Sequence, residues 1–472
     1  MKWKVRELIE ATRGRLLKGD WQMGYNGVST DSRKIKRGEL FIPLKGNRFD
    51  GHSFIPQVLE RGASGVMVRR GFSLREIPHQ SNELFVIEVE DTLDALGNLA
   101  HFLRMKSPVK VVAITGSNGK TSTKEMSALV LRERYQVLKN EGNLNNLIGL
   151  PLTLLRLSPE DEVAVLEMGM NRTGEIKRLS EISRPNIGLI TNIGPAHLEG
   201  LGSLSQVQKA KGELLETLTE DDYALVNYDD PLIKELAIQC KAQKISFGFH
   251  EGSDIRGRDI SVLKDNRICF WLISKGEEIR VVIPAFGLHH VYNALAASAV
   301  GVTLGVDLEG IVEGLRGFRP LPGRSKLLKI GKGIRLIDET YNANPRSMDI
   351  ALKTLSEKKG KGRGIVIMGD MHELGDSAPF WHREVGKWAG DLKIEYLALM
   401  GRYATFVAEG AESAGLLKER IFFGKSHEDV ALHIKKILKK GDWVLIKGSR
   451  VMEMEKVLDR LMHTEGDERY AL

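Results

Sequence analysis

Runs of consecutive apolar residues, rather than strict alternation, dominate the strand candidates along this chain. LFVIEV (84–89) and the glycine-punctuated GASGVMV (62–68) lie in the first hundred residues, among short helical stretches and turn signals. They predict a small α/β module. MKSPVK (105–110) interrupts the pattern with a proline between lysines, and VVAIT (111–115) then opens a new series. VVAIT, VAVLEM (163–168) and IGLIT (187–191) alternate with helical stretches. Strands apolar on both faces and separated by helices indicate a parallel sheet covered by crossover helices. A second break falls at LRGFRPLPGRSKLL (315–328), where prolines and glycines end a helical pattern. Alternation then restarts with IRLID (334–338), GIVIMGD (364–370), EYLALMG (395–401) and WVLIKGS (443–449). The expectation is an α/β protein of three domains, residues 1–107, 108–317 and 318–472, with a central nucleotide-type parallel or mixed sheet and a Rossmann-like C-terminal domain. No GxGxxG fingerprint marks that last domain as a dinucleotide binder.

Length and composition agree with this division. A chain of 472 residues exceeds one compact core and fits about three ordinary domains. Its 42% apolar and 28% charged residues are those of a folded globular protein rather than a disordered one. Neither a signal-like start nor a span of about 20 apolar residues is present, so a soluble cytoplasmic protein without membrane insertion is expected. Cys240 and Cys269 are too few for a disulfide framework. The net charge of +7 is spread rather than gathered beside stacking aromatics, so no nucleic-acid partner is expected. A monomer is expected.

The chemistry concentrates after VVAIT. Gly116-Ser117-Asn118-Gly119-Lys120-Thr121 joins this strand to a helix whose first turn is expected near Ser122. Glycines let backbone amides converge on phosphate oxygens and the helix N-terminus adds partial positive charge. Lys120 can reach the β and γ phosphates, and the Thr121 hydroxyl can bind Mg2+. Ile114 stands where the usual GxxxxGK[ST] spacing has its first glycine. Such a loop implies nucleotide triphosphate use but leaves motors, kinases, switches and ligases open. Downstream, Glu167 ends one strand and His197 follows another, at the sheet edge where ligands bind. Each alone is more often a helix-cap or surface residue. Lys209 and Lys211 are separated by one position on a helix, and residue chemistry does not choose between them.

Taken together these segments resemble the Mur ligase family across the whole chain. Thr115 to Thr121 has the form TGxNGKT, which accounts for Ile114, and EMGMNRTGEI (167–176), TNIGPAHLEGLGS (191–203) and AKGE (210–213) follow in the family's order. The resemblance implies that Lys211 is carbamylated and joins Glu167, His197 and Thr121 at two Mg2+ ions. It also implies that Asn293 in GLHHVYNALAA (287–297) meets the adenine of ATP, with His290 standing where the family often has asparagine. Arg324 in PGR is implied for the phosphates, Asp338 for the ribose, and Tyr341 and Asn342 for the base. YNANPRSM (341–348) is similar to the branch that adds D-alanyl-D-alanine rather than a third amino acid, whose signature is DNPR. GDMHELG (369–375), KGSRVMEME (447–455), NLNNLIGLPLTLL (143–155) and STDSRKIKRGELFIPLKGNRFDGH (29–52) add support. From the last two come Ser32 and Arg33 as UDP-sugar contacts and Asn145, Asn146 and Thr153 as muramoyl-peptide contacts. The implied reaction is ATP-dependent amide ligation of D-alanyl-D-alanine to UDP-N-acetylmuramoyl-tripeptide through an acyl phosphate, for peptidoglycan synthesis. The alternatives are a third-residue-adding or folylpolyglutamate-type ligase, and a phosphate-loop NTPase switch or motor.

Overall fold

The computed structural model describes residues 3–46, 49–77, 84–264, 266–331 and 333–462. Asn47 and Arg48 of the amino-terminal motif, and the last ten residues of the C-terminal segment, lie outside the described residues. The fold is α/β and is built on three main sheets.

The first sheet runs in the order Arg15–Lys18, Phe85–Val89, Gly65–Arg69, Leu40–Phe41, Val28–Ser29, parallel except for the antiparallel edge strand Arg15–Lys18. Helix Thr92–Lys106 leaves it, capped at its start by Asp91, whose carboxylate accepts the amides of Leu93 and Asp94. The helix stops at Lys106 because Ser107 precedes a proline and takes an extended conformation.

Strand Lys110–Thr115 then enters the nine-stranded central sheet. Seven strands are parallel, and an antiparallel hairpin, Ile268–Ser274 with Glu277–Ile283, extends one edge. Both faces of the sheet are covered. One buried cluster packs it against helices Lys120–Arg132, Leu288–Thr303 and Leu308–Arg316, and a second against Glu175–Ser183 and Leu204–Glu216. Double burial is why its strands read as unbroken apolar runs. Val111, Val112, Ala113 and Ile114 are all fully buried, and each valine or isoleucine contributes about 1.5–3 kcal/mol relative to exposure. Strand Lys110–Thr115 lies between Val163–Glu167 and Ile187–Ile190. The crossover from it leads to the edge strand Val137–Lys139, and the one from Val163–Glu167 leads back past it to Ile187–Ile190, so its carboxyl end is the topological switch point where α/β sheets open a ligand crevice.

The third sheet orders Lys326–Ile330, Ile334–Glu339, Trp443–Lys447, Gly364–Met368, Tyr396–Leu399 and Ile421–Phe423, parallel beyond its first strand. Among the described residues no helix is long and apolar enough to cross a membrane.

Candidate functional site

The carboxyl ends of the central strands and the loops of the third sheet enclose a cavity of about 870 Å³. Its floor is the phosphate loop. The helix begins at Lys120, two residues before the sequence pattern placed it, because Gly119 takes φ +82° and serves as its N-cap. That φ favours glycine, and a Cβ there would also lie 2.4 Å from Asn293 Oδ1, displacing the end of that side chain from helix Leu288–Thr303. Gly116, at φ +147°, is tighter still: its Cβ would lie 1.9 Å from Thr191 Oγ1.

Hydrogen bonds fix the loop from beneath. The Ser117 hydroxyl donates to the Gly194 carbonyl, and the Asn118 amide donates to Asn192 Oδ1. Thr191 Oγ1 and Asn192 Nδ2 donate to the Asn118 carbonyl. Asn344, from the third sheet's loops, donates to Asn118 Oδ1 at 3.0 Å, while Asn118 Nδ2 is buried without a partner among the described residues. A buried donor at the cavity wall is available to an acceptor atom of a ligand, such as a phosphate oxygen. Lys120 Nζ donates to the Gly116 carbonyl at 2.7 Å. Burial pushes its pKa down, opposed by the nearby Glu167 carboxylate and reinforced by Arg324.

Glu167 is held on all sides. Its carboxylate accepts from Thr121 Oγ1 and from Asn145 Nδ2, both at 2.8 Å. Asn140, fully buried, donates to the Glu167 carbonyl and accepts its amide, and the Asn140 carbonyl in turn accepts buried Lys124. His197 is not at a strand end, as its sequence placement had it. The strand stops at Ile190, and His197 sits at φ +56° in the following loop, where it opens the short helix Leu198–Leu201. Its Nδ1 lies 2.7 Å from Glu373 Oε2 of the GDMHELG loop, close enough for charge attraction but poorly aligned for a hydrogen bond.

The two lysines of AKGE and its flank separate cleanly. Lys209 is exposed, whereas Lys211 is 1% exposed and its side chain makes no hydrogen bond or ion pair among the described residues. Burial, reinforced by the charge of Lys120, drives its pKa well below the lysine range. Toward the hinge, Arg324 stacks over the Tyr341 ring at 3.8 Å, and Lys447 bridges Glu339 and the Asn342 carbonyl. Asn293, His290, Arg324, Tyr341 and Asn342 all line the cavity. His290 is buried with both ring nitrogens unpartnered in good geometry, and burial next to His289 depresses its pKa strongly.

Other candidates lie elsewhere. Asp338 does not line the cavity; it accepts the Gly323 amide and the Thr340 hydroxyl, which holds the turn that presents Arg324. Thr153 is fully buried and donates to the Gly149 carbonyl one helical turn back, away from the cavity. Asn145 and Asn146 line the cavity; Asn146 also caps the amides of Ile148 and Gly149. Thr115 lies beneath the loop, its hydroxyl donated to the Met168 carbonyl. Ser32 and Arg33 sit apart, in the first sheet's loops, with Arg33 gripping Asp31 and driving its carboxyl down to about 2. Sequence reading missed Asn140, Lys124 and Asn344, and assigned no role to Glu373 or Lys447, although the motifs containing the last two had stood out.

Comparison with known proteins agrees with this arrangement. Family models for the Mur ligase family, catalytic domain (residues 24–104), the Mur ligase middle domain (114–301) and the Mur ligase, glutamate ligase domain (323–450) match in this order. The UDP-N-acetylmuramoyl-tripeptide--D-alanyl-D-alanine ligase of Bacillus subtilis (strain 168) is 37% identical over 98% of this chain and 99% of its own. A crystal structure of MurF from Acinetobacter baumannii superposes with a TM-score of 0.89, at 34% identity over 98% of this chain and 99% of that one. MurF ligase from Thermotoga maritima, in complex with ADP, gives 0.81 at 28% identity, over 93% and 97%. With three family models in sequence and a full-length relative above 30% identity, this chain belongs to the Mur ligase family.

Proposed function

We propose that this chain is an ATP-dependent ligase that joins D-alanyl-D-alanine to UDP-N-acetylmuramoyl-tripeptide through an acyl phosphate, giving the UDP-linked pentapeptide for peptidoglycan synthesis. The observation that carries the reading is the match, end to end, to relatives bearing that activity in their names. The cavity supports it, because an anion-binding loop and an ion-pairing C-terminal loop face each other across a space of nucleotide size.

A carboxylate is a poor acyl donor because oxide is a poor leaving group, and transfer of the γ phosphoryl group supplies a better one. The protein's part is positioning and charge compensation. The amides of the Gly116–Lys120 loop, the Asn118 Nδ2 donor and Lys120 would grip the phosphates, with Arg324 over them from the hinge. Asn293 and His290 would face the adenine, with Tyr341 and Asn342 beside it. Asn145 and Asn146 would meet the peptide end of the muramoyl substrate, and Ser32 and Arg33 its UDP end. The segments 1–107, 108–317 and 318–472 then divide the work among UDP-sugar, ATP, and ATP with the dipeptide.

The donor set fits Mg2+. The Thr121 hydroxyl and Glu167 carboxylate are hard oxygens 2.8 Å apart, and among the described residues no cluster of three His, Cys, Asp or Glu side chains suits a softer, fully protein-ligated ion. Thr121, Glu167, His197 and a carbamylated Lys211 would hold two ions. Mg2+ supplies neutralisation of phosphate charge when bound. Lys211 is suited to modification because burial disfavours its ammonium form, which favours reaction of the amine with CO2, and among the described residues its side chain has no hydrogen-bond or ion-pair partner. ATP as substrate fits a cytoplasmic setting.

Incubation with ATP, Mg2+, UDP-muramoyl-tripeptide and D-alanyl-D-alanine should yield a product heavier by the dipeptide residue mass. A product carrying one amino acid instead would move the chain to a sister branch.

A further inference from the structure

The GDMHELG loop is anchored at almost every residue. Asp370 accepts the amides of Arg402 and Tyr403, the Met371 amide donates to His382 Nε2 and the His372 amide to Ser449 Oγ, and Met371 and Leu374 are buried in the third sheet's core. Glu373 itself takes the left-handed conformation, φ +62°, and its carbonyl accepts the Glu199 amide across the interface with the central sheet. A non-glycine residue held there by its neighbours aims its side chain in one direction. That direction is the cavity: the Glu373 side chain is half exposed, lines the cavity wall, and sets Oε2 against His197, while Oε1 has no partner among the described residues.

Its neighbours among the cavity's carboxylates are engaged. Glu167 holds Thr121 and Asn145, Asp229 accepts two backbone amides and Tyr292, Asp230 caps a helix and takes Arg346, and Glu339 holds Lys447 and Ser325. Phosphoryl transfer calls for cations and donors at this end of the cavity, and Glu373, half exposed beside His197 and held in its charged form chiefly by that contact, brings negative charge there instead. Besides Mg2+, which Thr121 and Glu167 are placed to hold, the reaction component of the right sign is the ammonium group of the incoming amine. Resting on the ligase reading above, we propose that Glu373 is the docking residue for that ammonium, delivered by the C-terminal segment beside the phosphate loop. A charged ion pair with hydrogen bonds selects an amine-bearing dipeptide and places its nitrogen against the acyl carbon; the ammonium gives one proton to Glu373 to free its lone pair, and as the C–N bond forms and the acyl C–O bond breaks the departing phosphate takes the second.

The test compares wild type, Glu373→Gln and Glu373→Asp with two nucleophiles. The first is D-alanyl-D-alanine, which brings an ammonium group. The second is hydroxylamine, which is largely uncharged at neutral pH and traps the acyl phosphate as a hydroxamate. In Glu373→Gln the KM for D-alanyl-D-alanine should rise about ten- to hundredfold, the loss of a charged pair, while KM for ATP and the rate of hydroxamate formation stay within about threefold. Glu373→Asp should recover part of the dipeptide affinity. An unchanged dipeptide KM in Glu373→Gln would overturn the proposal. So would a parallel loss of hydroxamate, which would put Glu373 on the phosphoryl side. Wild-type protein that forms hydroxamate but no dipeptide product would instead refute the substrate assignment, so the two failures are told apart.

Discussion

Replacing Gly116 with alanine tests the phosphate loop at its tightest point. At φ +147° an L-residue sits in a region that essentially only glycine occupies, at a cost of about 1–3 kcal/mol. The new Cβ would also lie 1.9 Å from Thr191 Oγ1, which has to swing away and give up its hydrogen bond to the Asn118 carbonyl, about 1 kcal/mol more. The loop relieves about 2–4 kcal/mol by shifting, and the shift is what a nucleotide must reverse. Equilibrium titration with a non-hydrolysable ATP analogue should therefore show Kd raised about thirtyfold to a thousandfold in Gly116→Ala. Thr191→Ala removes the clashing oxygen but leaves the backbone strain and further Thr191 atoms at 3.1 Å, so the double variant should regain about tenfold over Gly116→Ala alone. Additive effects, or an analogue Kd within threefold of wild type for Gly116→Ala, would refute the clash reasoning.

Lys211→Ala should lose most ligase activity, and small carboxylic acids that replace the carbamate should restore part of it; full activity in that variant would mean that another residue fills the role. Thr153→Val should leave the KM for the muramoyl substrate unchanged while costing about 1 kcal/mol of stability, because its hydroxyl serves the Gly149 carbonyl, whereas Asn145→Ala should raise that KM. His290 and His382 are buried and His289 is partly so, and all three have pKa values below the free imidazole value, chiefly by desolvation. As pH falls below about 6.5 the unfolded chain takes up protons that these folded sites refuse, so stability should drop, by up to about 1.4 kcal/mol per pH unit for each histidine. Urea midpoints measured between pH 7.5 and 5.5 should show this, and His382→Asn should shallow the slope; a flat profile would contradict it.

The fold was legible because the strands are buried on both faces. VVAIT, VAVLEM and IGLIT carry no alternation to confuse with an amphipathic edge, and the helix leaving the first sheet does end at the proline of MKSPVK. The floor of the site was legible for a related reason: a strand, a glycine loop, Lys120, Thr121 and a helix are local in sequence. What was not legible depends on contacts between distant segments. Asn140 clamps Glu167 from 27 positions away, and Asn344 reaches Asn118 across 226. No local pattern distinguishes such an asparagine from one in a turn. Lys211 and Lys209 differ only in which side of their helix packs on the sheet, which spacing alone left undecided. Asp338 and Thr153 show the reverse, where polar residues within recognised motifs turn their hydrogen bonds inward to shape the backbone that carries Arg324 and the helix beginning at Gly149.

The central claim, that the tripeptide carboxylate is activated by phosphorylation, can be read from one oxygen atom. With 18O in the terminal carboxylate of UDP-muramoyl-tripeptide, the account predicts that phosphate released in the presence of ATP, Mg2+ and D-alanyl-D-alanine carries one 18O for each pentapeptide formed. Unlabelled phosphate, released at the same rate with or without the dipeptide, would show ATP hydrolysis by water and contradict it.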